Sequence, residues 1–397
     1  MLYTILIRYL TVFVQFLIIG TTIWLYGSES RGVVAGLIAT FSLVGAISSF
    51  TIGKGLIALL ERAKGKDLDN GSLYISAITV SLLLVILSFI SHLVLKKYLI
   101  NFYGNIPIET IKYFYPAVFY YVWIQVGAYL YSLSSKLKIY NSISLVSNFA
   151  VMIGLVWIAL VDKIAFENFL LFISTIFFLE FLLSAGVFYR VMSLKSAKPK
   201  YKNLVFKSGM KLHIDTIGGV MFSSISLVLV NAYLTLEDVA NYDIAVRLFA
   251  LLCVMPQMVQ MFNHDKVVYK DSRLLIKSQM QLLKKVAVVF LLLFPLSLLV
   301  LSQLRSWINL STEIIWLYAI LALGFIPYFY CSIVSPFWIK RGHGIQLSFT
   351  TLLIGVFGSI NSIFLMNKYS VYGAALAVIV NYFAAMMINM AYRSKYI

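Results

Sequence analysis

The sequence predicts an all-α polytopic membrane protein, with about twelve transmembrane helices in two six-helix halves around a central cavity. Three observations carry this. Of 397 residues, 61% are hydrophobic and 12% charged, with a mean hydropathy of +0.92; a soluble domain carries roughly 45–50% apolar and about 25% charged residues. The apolar runs are long and do not alternate, as in Ser81 to Ile90 and Val286 to Leu301. A helix needs about 20 such residues to cross about 30 Å of hydrocarbon and satisfies its own backbone there, whereas a β-barrel shows short alternating segments. Finally, the basic residues gather in alternate loops.

Taken in order, the spans fall at 4–26, 33–57, 71–95, 113–133, 140–161, 168–189, 208–233, 239–261, 285–303, 314–337, 344–366 and 370–392. The first is apolar without a small-residue cleavage site, so it reads as a retained helix. With the N-terminus cytoplasmic, 24 of the 32 Lys and Arg fall on the cytoplasmic side. Seven fall opposite: Arg31, Lys96, Lys97, Lys112, Lys163, Arg305 and Lys368. Both termini are therefore expected in the cytoplasm. In a soluble protein the net charge of +17 would point to nucleic acid; here it is an insertion signal, and no nucleic-acid partner is expected.

A basic linker, 191–207, contains Lys198-Pro199-Lys200 and separates an N-terminal bundle (1–190) from a C-terminal one (208–397). Six spans per half give parallel repeats about an axis along the membrane normal. A shift of 208 residues lays Glu29 on Glu237. It also pairs the face Arg8, Thr11, Gln15, Thr22 with Thr216, Gly219, Ser223, Val230. The small-residue stripe Ala35, Ala39, Ser42, Ala46, Ser49, Gly53 falls on Asp243, Arg247, Ala250, Val254, Gln257, Met261. Small residues let membrane helices pack closely or line a cavity, and these faces are expected to line a shared central space.

Charge at mid-membrane is costly and marks function. Asp243 and Arg247 lie four apart on the eighth span, so their side chains meet. Two readings stand: a structural ion pair, or a cavity site in which Arg247 holds an anion and Asp243 steadies it or exchanges a proton. Lys211 and Asp215 repeat the spacing at the start of the seventh span, as an interfacial pair with a snorkelling lysine or as further cavity charges. His213 reads as a polar filler at an interface or as a proton relay, the filler being the commoner role of such a histidine. Glu180 is either hydrogen-bonded to a neighbouring helix or an ion-coupling acid. Arg8 and Lys54 either anchor to headgroups or bind a diphosphate at the inner mouth; Arg8 shares its face with Thr11 and Gln15. The cluster Tyr113 to Trp123 reads as an interfacial aromatic belt, its inward members open to sugar stacking. Pro116, Pro256, Pro295, Pro327 and Pro336 are places for bends. The candidate substrate-binding set is thus Arg247, Arg8, Lys211, Gln15 and Gln257, and the candidate cavity acids are Asp243, Asp215 and Glu180.

No catalytic or metal site is expected. There is no GxxxxGK[ST] or HExxH motif; His92, His213, His264 and His343 are scattered, and Cys253 and Cys331 form no CxxC. A membrane enzyme of glycan assembly would carry a long outer loop, and the longest here is about Lys96 to Lys112. No cofactor is expected beyond a coupling proton or sodium ion.

Two six-span halves in about 400 residues, with a short outer loop followed by Val239-Ala240-Asn241-Tyr242-Asp243-Ile244-Ala245-Val246-Arg247-Leu248, resemble the Wzx-type O-antigen flippases of the multidrug/oligosaccharidyl-lipid/polysaccharide exporter superfamily. Tyr233-Leu234 and Glu237-Asp238 fit the same pattern; the motif covers about 20 residues and the architecture the whole chain. The resemblance implies a flippase that moves an undecaprenyl-diphosphate-linked oligosaccharide across the bacterial inner membrane by alternating access. It further implies membrane lipids, a polysaccharide polymerase and a chain-length regulator as partners, and that Arg247 and Arg8 sit where relatives place cavity arginines. A cation-coupled multidrug exporter of the same superfamily is the alternative that the cavity acids keep open.

Overall fold

The computed structural model describes residues 2–63, 69–95, 103–161, 164–223, 225–269, 272–308 and 311–396. Their regular secondary structure is entirely helical. In chain order the helices are α1 (2–26), α2 (28–48), α3 (Asn70–Leu95), α4 (Ala117–Leu133), α5 (Leu137–Val161) and α6 (Phe166–Val191). Then come α7 (Lys202–Ser223 with Ile225–Tyr233), α8 (Leu236–Tyr269), α9 (Ser272–Ile308), α10 (Thr312–Ala322 with Phe325–Lys340), α11 (Gly344–Tyr369) and α12 (Val371–Tyr396). Eight helices are long and apolar enough to span alone, and nine if the two pieces of α10 count as one span. In that count α1 and α2 form one unit, Leu6–Leu56, although Gly27, at φ 86° and ψ 170°, breaks it; only glycine takes that backbone freely. α4, with 17 residues, is short, and α7 lies in two pieces. With these included, the architecture is the expected one of about twelve membrane helices.

The boundaries differ from expectation in three places, each for a local reason. The second span does not run unbroken to 57. Phe50 and Thr51 adopt φ 43° and 56°, and the chain restarts as a short helix, Ile52–Ala63. Ser49 Oγ accepts the Thr51 amide at 3.4 Å and His213 Nδ1 meets Thr51 Oγ1 at 3.0 Å, so the break is held by polar bonds. The linker is shorter than 191–207 because α7 begins at Lys202, which places Lys202 and Lys207 on a helix. α10 bends by 41° between its two pieces. Pro327 follows, and a proline removes the bond to the carbonyl four residues back, here that of Leu323.

The buried apolar side chains form two large clusters. One runs from Leu25 to Val205; the other from Val230 to Tyr392, with Ile19 and Ala35 added. The aromatic run of α4 is the heart of the first cluster and not an interfacial belt. Phe114, Tyr121 and Trp123 are buried. Tyr120 stacks on Phe177 of α6 at 4.9 Å, and Phe119 meets Phe178 edge-on at 5.1 Å. The polar tips are satisfied, with Trp123 Nε1 donating to Ser184 Oγ at 3.0 Å and Tyr131 OH to the Ser184 carbonyl at 2.7 Å. Buried Trp and Tyr need such partners.

The small-residue stripe of α2 is packed over most of its length, and at its C-terminal end Ser49 lines a cavity of about 170 Å³ with Thr216 and Gly219 of α7. Ala35, Ala39, Ala46, Ser49 and Gly53 are buried, Gly45 abuts the Tyr121 backbone, and a Cβ at Gly53 would lie 2.4 Å from the Tyr129 ring. Of the two uses small residues have in membrane helices, this stripe serves close approach at Gly45 and Gly53 and cavity lining at Ser49.

Segments of the two halves close on each other at both ends of the bundle. At the end carrying the 191–207 linker, called here the basic end, a Cβ on Gly55 would lie 2.5 Å from Gly209 N. There Ser208 Oγ donates to the Gly55 carbonyl at 3.0 Å, and Phe50 stacks on His213 at 5.0 Å. At the opposite end, Asn231 Nδ2 donates to the Tyr103 carbonyl at 2.8 Å and the Asn105 amide to the Asn231 carbonyl at 3.2 Å. Asn105 Nδ2 also reaches the Leu234 carbonyl.

Candidate functional site

α8 starts at the opposite end, and Asp243 and Arg247 lie 7 and 11 residues into it, about 10 and 16 Å along its axis at about 1.5 Å per residue. Arg247 is thus near the middle of a hydrocarbon core of about 30 Å. The expected contact is present: Arg247 Nε donates to Asp243 Oδ1 at 3.1 Å and to Oδ2 at 3.0 Å. Arg247 Nη1 reaches Gln15 Oε1 on α1 at 3.3 Å, so the polar face of α1 and that of α8 meet.

The decisive partner stands on another helix, α2. Arg31, counted among the cations of the opposite side, is buried in α2 at 2% exposure. Its Nη2 donates to Asp243 Oδ2, and its Nε is buried without a partner. A signal for this was available. Arg31 stands four residues before Ala35, so extending the small-residue stripe by one turn reaches it. Asp243 therefore serves two guanidiniums, which are always protonated, and the group Arg31–Asp243–Arg247 carries one positive charge in excess. Arg31 and Asp243 are enclosed, while the Arg247 side chain keeps 21% exposure.

Arg8 lies seven residues before Gln15, about 10 Å nearer the basic end. It makes no hydrogen bond or ion pair among the described residues, and lies within electrostatic reach of Tyr140 on α5 and Tyr328 on α10. Gln257 of α8 hydrogen-bonds the same Tyr328. Three arginines, Arg8, Arg247 and Arg31, thus stand at successive depths along the seam between α1, α2 and α8. Thr11 and Thr22, on the same α1 face, bond back to their own helix, to the Ile7 carbonyl at 2.8 Å and the Ile18 carbonyl at 2.7 Å, and offer no donor to the seam.

The other candidates separate from this group. Glu180 of α6 is 4% exposed, faces Ser144 and Ser147 of α5, and has Oε2 buried without a partner. Tyr121 stands within electrostatic reach of both Glu180 and the arginine–aspartate group. Lys211 is exposed on α7 and does not join the group; the Asp215 side chain lies outside the described residues. A smaller cavity of about 170 Å³ opens at the basic end, lined by Thr51, Lys54, Gln125, Tyr129 and Thr216 among others. Among the described residues no cluster of three His, Cys, Asp or Glu side chains is placed to hold a metal.

Fold and site together define a multi-pass helical membrane protein with a buried cationic centre where its two halves meet. No family model matches the sequence, and no curated protein matches it. Solved structures do. The chain is similar to the lipid II flippase MurJ in an inward closed conformation, at 14% identity and a TM-score of 0.70, over 99% of this chain and 88% of that one. It is similar to an inward-facing multidrug resistance MATE family transporter of the MOP superfamily at 12% identity and a TM-score of 0.70, over 95% and 93% of the two chains. A eukaryotic MATE transporter, AtDTX14, matches at 14% identity and a TM-score of 0.63, over 99% and 94%. At these identities the likeness is one of fold, and it spans the whole chain.

Proposed function

We propose that this protein is a flippase for an undecaprenyl-diphosphate-linked oligosaccharide, an O-antigen or similar polysaccharide repeat unit, working by alternating access in the bacterial inner membrane with both termini cytoplasmic. One observation carries the reading: a buried arginine, Arg31, and a partly exposed one, Arg247, share one aspartate. A site built only for stability would pair charges one to one, because an uncompensated charge in lipid is expensive. The excess positive charge is matched by a phosphate group, which arginine binds bidentately. Arg8, with Gln257 close by on Tyr328, receives the diphosphate from the basic end; Arg247, the exposed member of the arginine–aspartate group, takes it next, and Gln15 aligns Arg247. Lys211 lies at the rim and attracts anions at long range only. The lipid tail stays in the bilayer while the halves rock, and the released oligosaccharide passes to a polymerase and a chain-length regulator.

Glu180 supports coupling to a proton or sodium ion, since a buried carboxylate with an unpartnered oxygen is a place for a small cation. The same residue favours the second reading, a cation-coupled multidrug exporter, whose substrates are attracted by acids. Deletion cells complemented with Arg247→Ala separate the two. A flippase loses surface polysaccharide with drug accumulation unchanged. Retained polysaccharide with raised drug accumulation overturns the flippase reading in favour of the exporter.

A further inference from the structure

The cavity of about 170 Å³ at the basic end is walled by polar side chains from three parts of the chain. Ser49 and Thr51 come from the break that follows α2, with Lys54 just beyond; Gln125 and Tyr129 come from α4, and Thr216 from α7. Local structure brings them together. Phe50 and Thr51 are left-handed, a conformation rare for a β-branched residue, and the turn they make lets Ser49 and Thr51 line one cavity. Gln125 and Tyr129 lie four apart on a helix and share a face. The cavity is on the membrane side of the closure at the basic end, since Thr216 stands seven residues beyond Gly209 on α7, about 10 Å deeper. Much of its hydrogen-bonding capacity is unspent. Ser49 Oγ donates to the Ala46 carbonyl at 2.9 Å and Thr51 Oγ1 meets His213 Nδ1 at 3.0 Å. Lys54, the one cation of the lining, has an interaction of its own. Gln125, Tyr129 and Thr216 make no hydrogen bond among the described residues.

We infer that this cavity binds one neutral pyranose ring, its hydroxyls on Gln125, Tyr129 and Thr216. The inference rests on the proposed function and gives the oligosaccharide, which that reading leaves unplaced, a subsite at the basic end. Size and hydrogen-bonding character decide the occupant. A volume of about 170 Å³ is that of about six waters at about 30 Å³ each. This is more than a bare cation fills, and less than the roughly 300 Å³ at which drug-sized pockets begin. A hydroxyl both donates and accepts, as do an amide, a phenol and a threonine, so a ring bearing several hydroxyls satisfies all three side chains. A phosphate only accepts, leaves the Gln125 carbonyl oxygen without a donor, and has Lys54 alone for its charge. An apolar ring of the same size strands all three groups, which is costly away from water. Gln125 and Tyr129 belong to one half and Thr216 to the other, so a bound ring bridges the halves where they close.

The test uses the full chain in lipid nanodiscs, without Cys253 and Cys331 and with Val220→Cys as reporter. Val220 lines the cavity and takes no part in its polar wall. The probes are the methyl glycosides of glucose, galactose, mannose and N-acetylglucosamine, tetrahydropyran as the same ring without hydroxyls, and inorganic phosphate. The measurement is the rate at which a small thiol reagent labels the reporter. At least one glycoside is expected to slow labelling about tenfold at about ten times its Kd, while tetrahydropyran and phosphate leave the rate unchanged. Gln125→Ala and Thr216→Val remove no hydrogen bond made within the described residues, so labelling without a probe stays at its reference rate. Each variant should weaken the glycoside about three- to tenfold, the loss of one neutral hydrogen bond. Equal slowing by tetrahydropyran overturns the inference, because size alone then selects. Protection by phosphate and by no glycoside, no protection by any probe, or unchanged glycoside affinity in both variants overturns it as well. The outcomes are separable from those of the function itself. Glycoside protection with polysaccharide display retained in Arg247→Ala removes the flippase reading and keeps the sugar site. Lost display with no glycoside protection removes the sugar site alone.

Discussion

The shared aspartate makes a quantitative prediction. Asp243→Asn keeps the shape of the side chain and removes its charge, so Arg31 and Arg247 face each other with no anion between them. Arg31 is 2% exposed and Asp243 3%, which gives water little part in screening the change. Breaking a buried ion pair by removing one partner costs about 3–5 kcal/mol; two unit charges about 4 Å apart at an effective dielectric of about 20 interact by about 4 kcal/mol, which sets the same scale. Arg247→Ala has a milder effect, because it leaves Arg31 and Asp243 as a neutral pair. The stability order is therefore wild type, then Arg247→Ala, then Asp243→Asn. An added anion narrows the gap between Asp243→Asn and the other two. A ligand at 100 times its Kd stabilises by about 2.7 kcal/mol, and the doubly positive centre of Asp243→Asn binds an anion more tightly than the singly positive one. The assay is unfolding of the purified protein in mixed micelles, with and without pyrophosphate. Pyrophosphate should recover more of the stability of Asp243→Asn than it adds to the wild type, and should leave Arg247→Ala unmoved. A loss in Asp243→Asn no larger than about 0.5 kcal/mol, the scale of an inert surface change, would refute the shared-charge argument. So would equal gains from pyrophosphate in all three proteins.

The two closures predict opposite accessibility changes. In a background lacking Cys253 and Cys331, with a reporter cysteine at Gln15, Gly55→Val pushes Gly209 away, and a thiol reagent should label faster from the basic end; an unchanged rate removes that contact from the gate. Asn231→Ala loses the bond to the Tyr103 carbonyl and should speed labelling from the opposite end only, so labelling from both ends would mean general loosening. Glu180→Gln is expected to abolish transport driven by a proton or sodium gradient while leaving pyrophosphate binding intact, and gradient-driven transport at wild-type rate would remove Glu180 from coupling. Ser184→Ala strands the Trp123 indole N–H inside the first core and should cost about 1–3 kcal/mol, the desolvation penalty of a buried unpaired donor, measured by the same unfolding titration. At the start of α3, Asp69 accepts the Ser72 hydroxyl at 2.5 Å and the Gly71 and Ser72 amides at 3.0 and 3.1 Å. These bonds, the Ser72 hydroxyl first, hold its carboxyl below the ordinary value. The cap is therefore intact above the usual carboxylate range and is lost as pH falls through that lowered value, which amide exchange at the first turn of α3 should report.

The helices were legible because membrane spans obey the coarsest rule in the sequence, some 20 apolar residues between basic loops. The Asp243–Arg247 contact was legible because spacing on one helix fixes which side chains meet. What was not legible depends on contacts between helices. Arg31 follows Glu29 and Ser30 near a turn, and charge counting treats any cation near a turn as part of a loop. The aromatic run of α4 was misplaced because hydropathy does not separate the interior of a helical half from the interfacial zone, and only the facing Phe177, Phe178 and Phe181 of α6 decide between them. The α2 stripe was ambiguous for a related reason, since small residues accompany both a cavity and a close helix contact. The ring of Tyr129 and the backbone of Tyr121 show the latter at Gly53 and Gly45, and Ser49 beside Thr216 and Gly219 shows the former.

The closure at both ends bears on how an uneven charge group survives inside a membrane. Arg31 and Asp243 form a pair that stays neutral, and Arg247 borrows the same carboxylate through its Nε while Gln15 holds Nη1. When an anion arrives along the Arg8 side, Arg247 is the member free to turn towards it, because its departure leaves Arg31–Asp243 paired. The cost of losing the Asp243 contact is offset by the phosphate, so the centre exchanges one anionic partner for another without exposing a bare charge to lipid. Arg247 and Gln15 sit on α8 and α1, the helices that join the two halves, so the exchange also releases the α1–α8 contact. On the proposed flippase reading, the coupling needed for alternation resides in one side chain, whose hydrogen bonds to α1 and to the anion compete. On this argument Gln15→Ala should weaken closure of the halves without weakening anion binding, whereas Arg247→Lys, which keeps the charge but loses the forked donors, should bind the anion and fail to transmit it. Measured side by side, equal defects in binding and transport for both variants would place the coupling elsewhere.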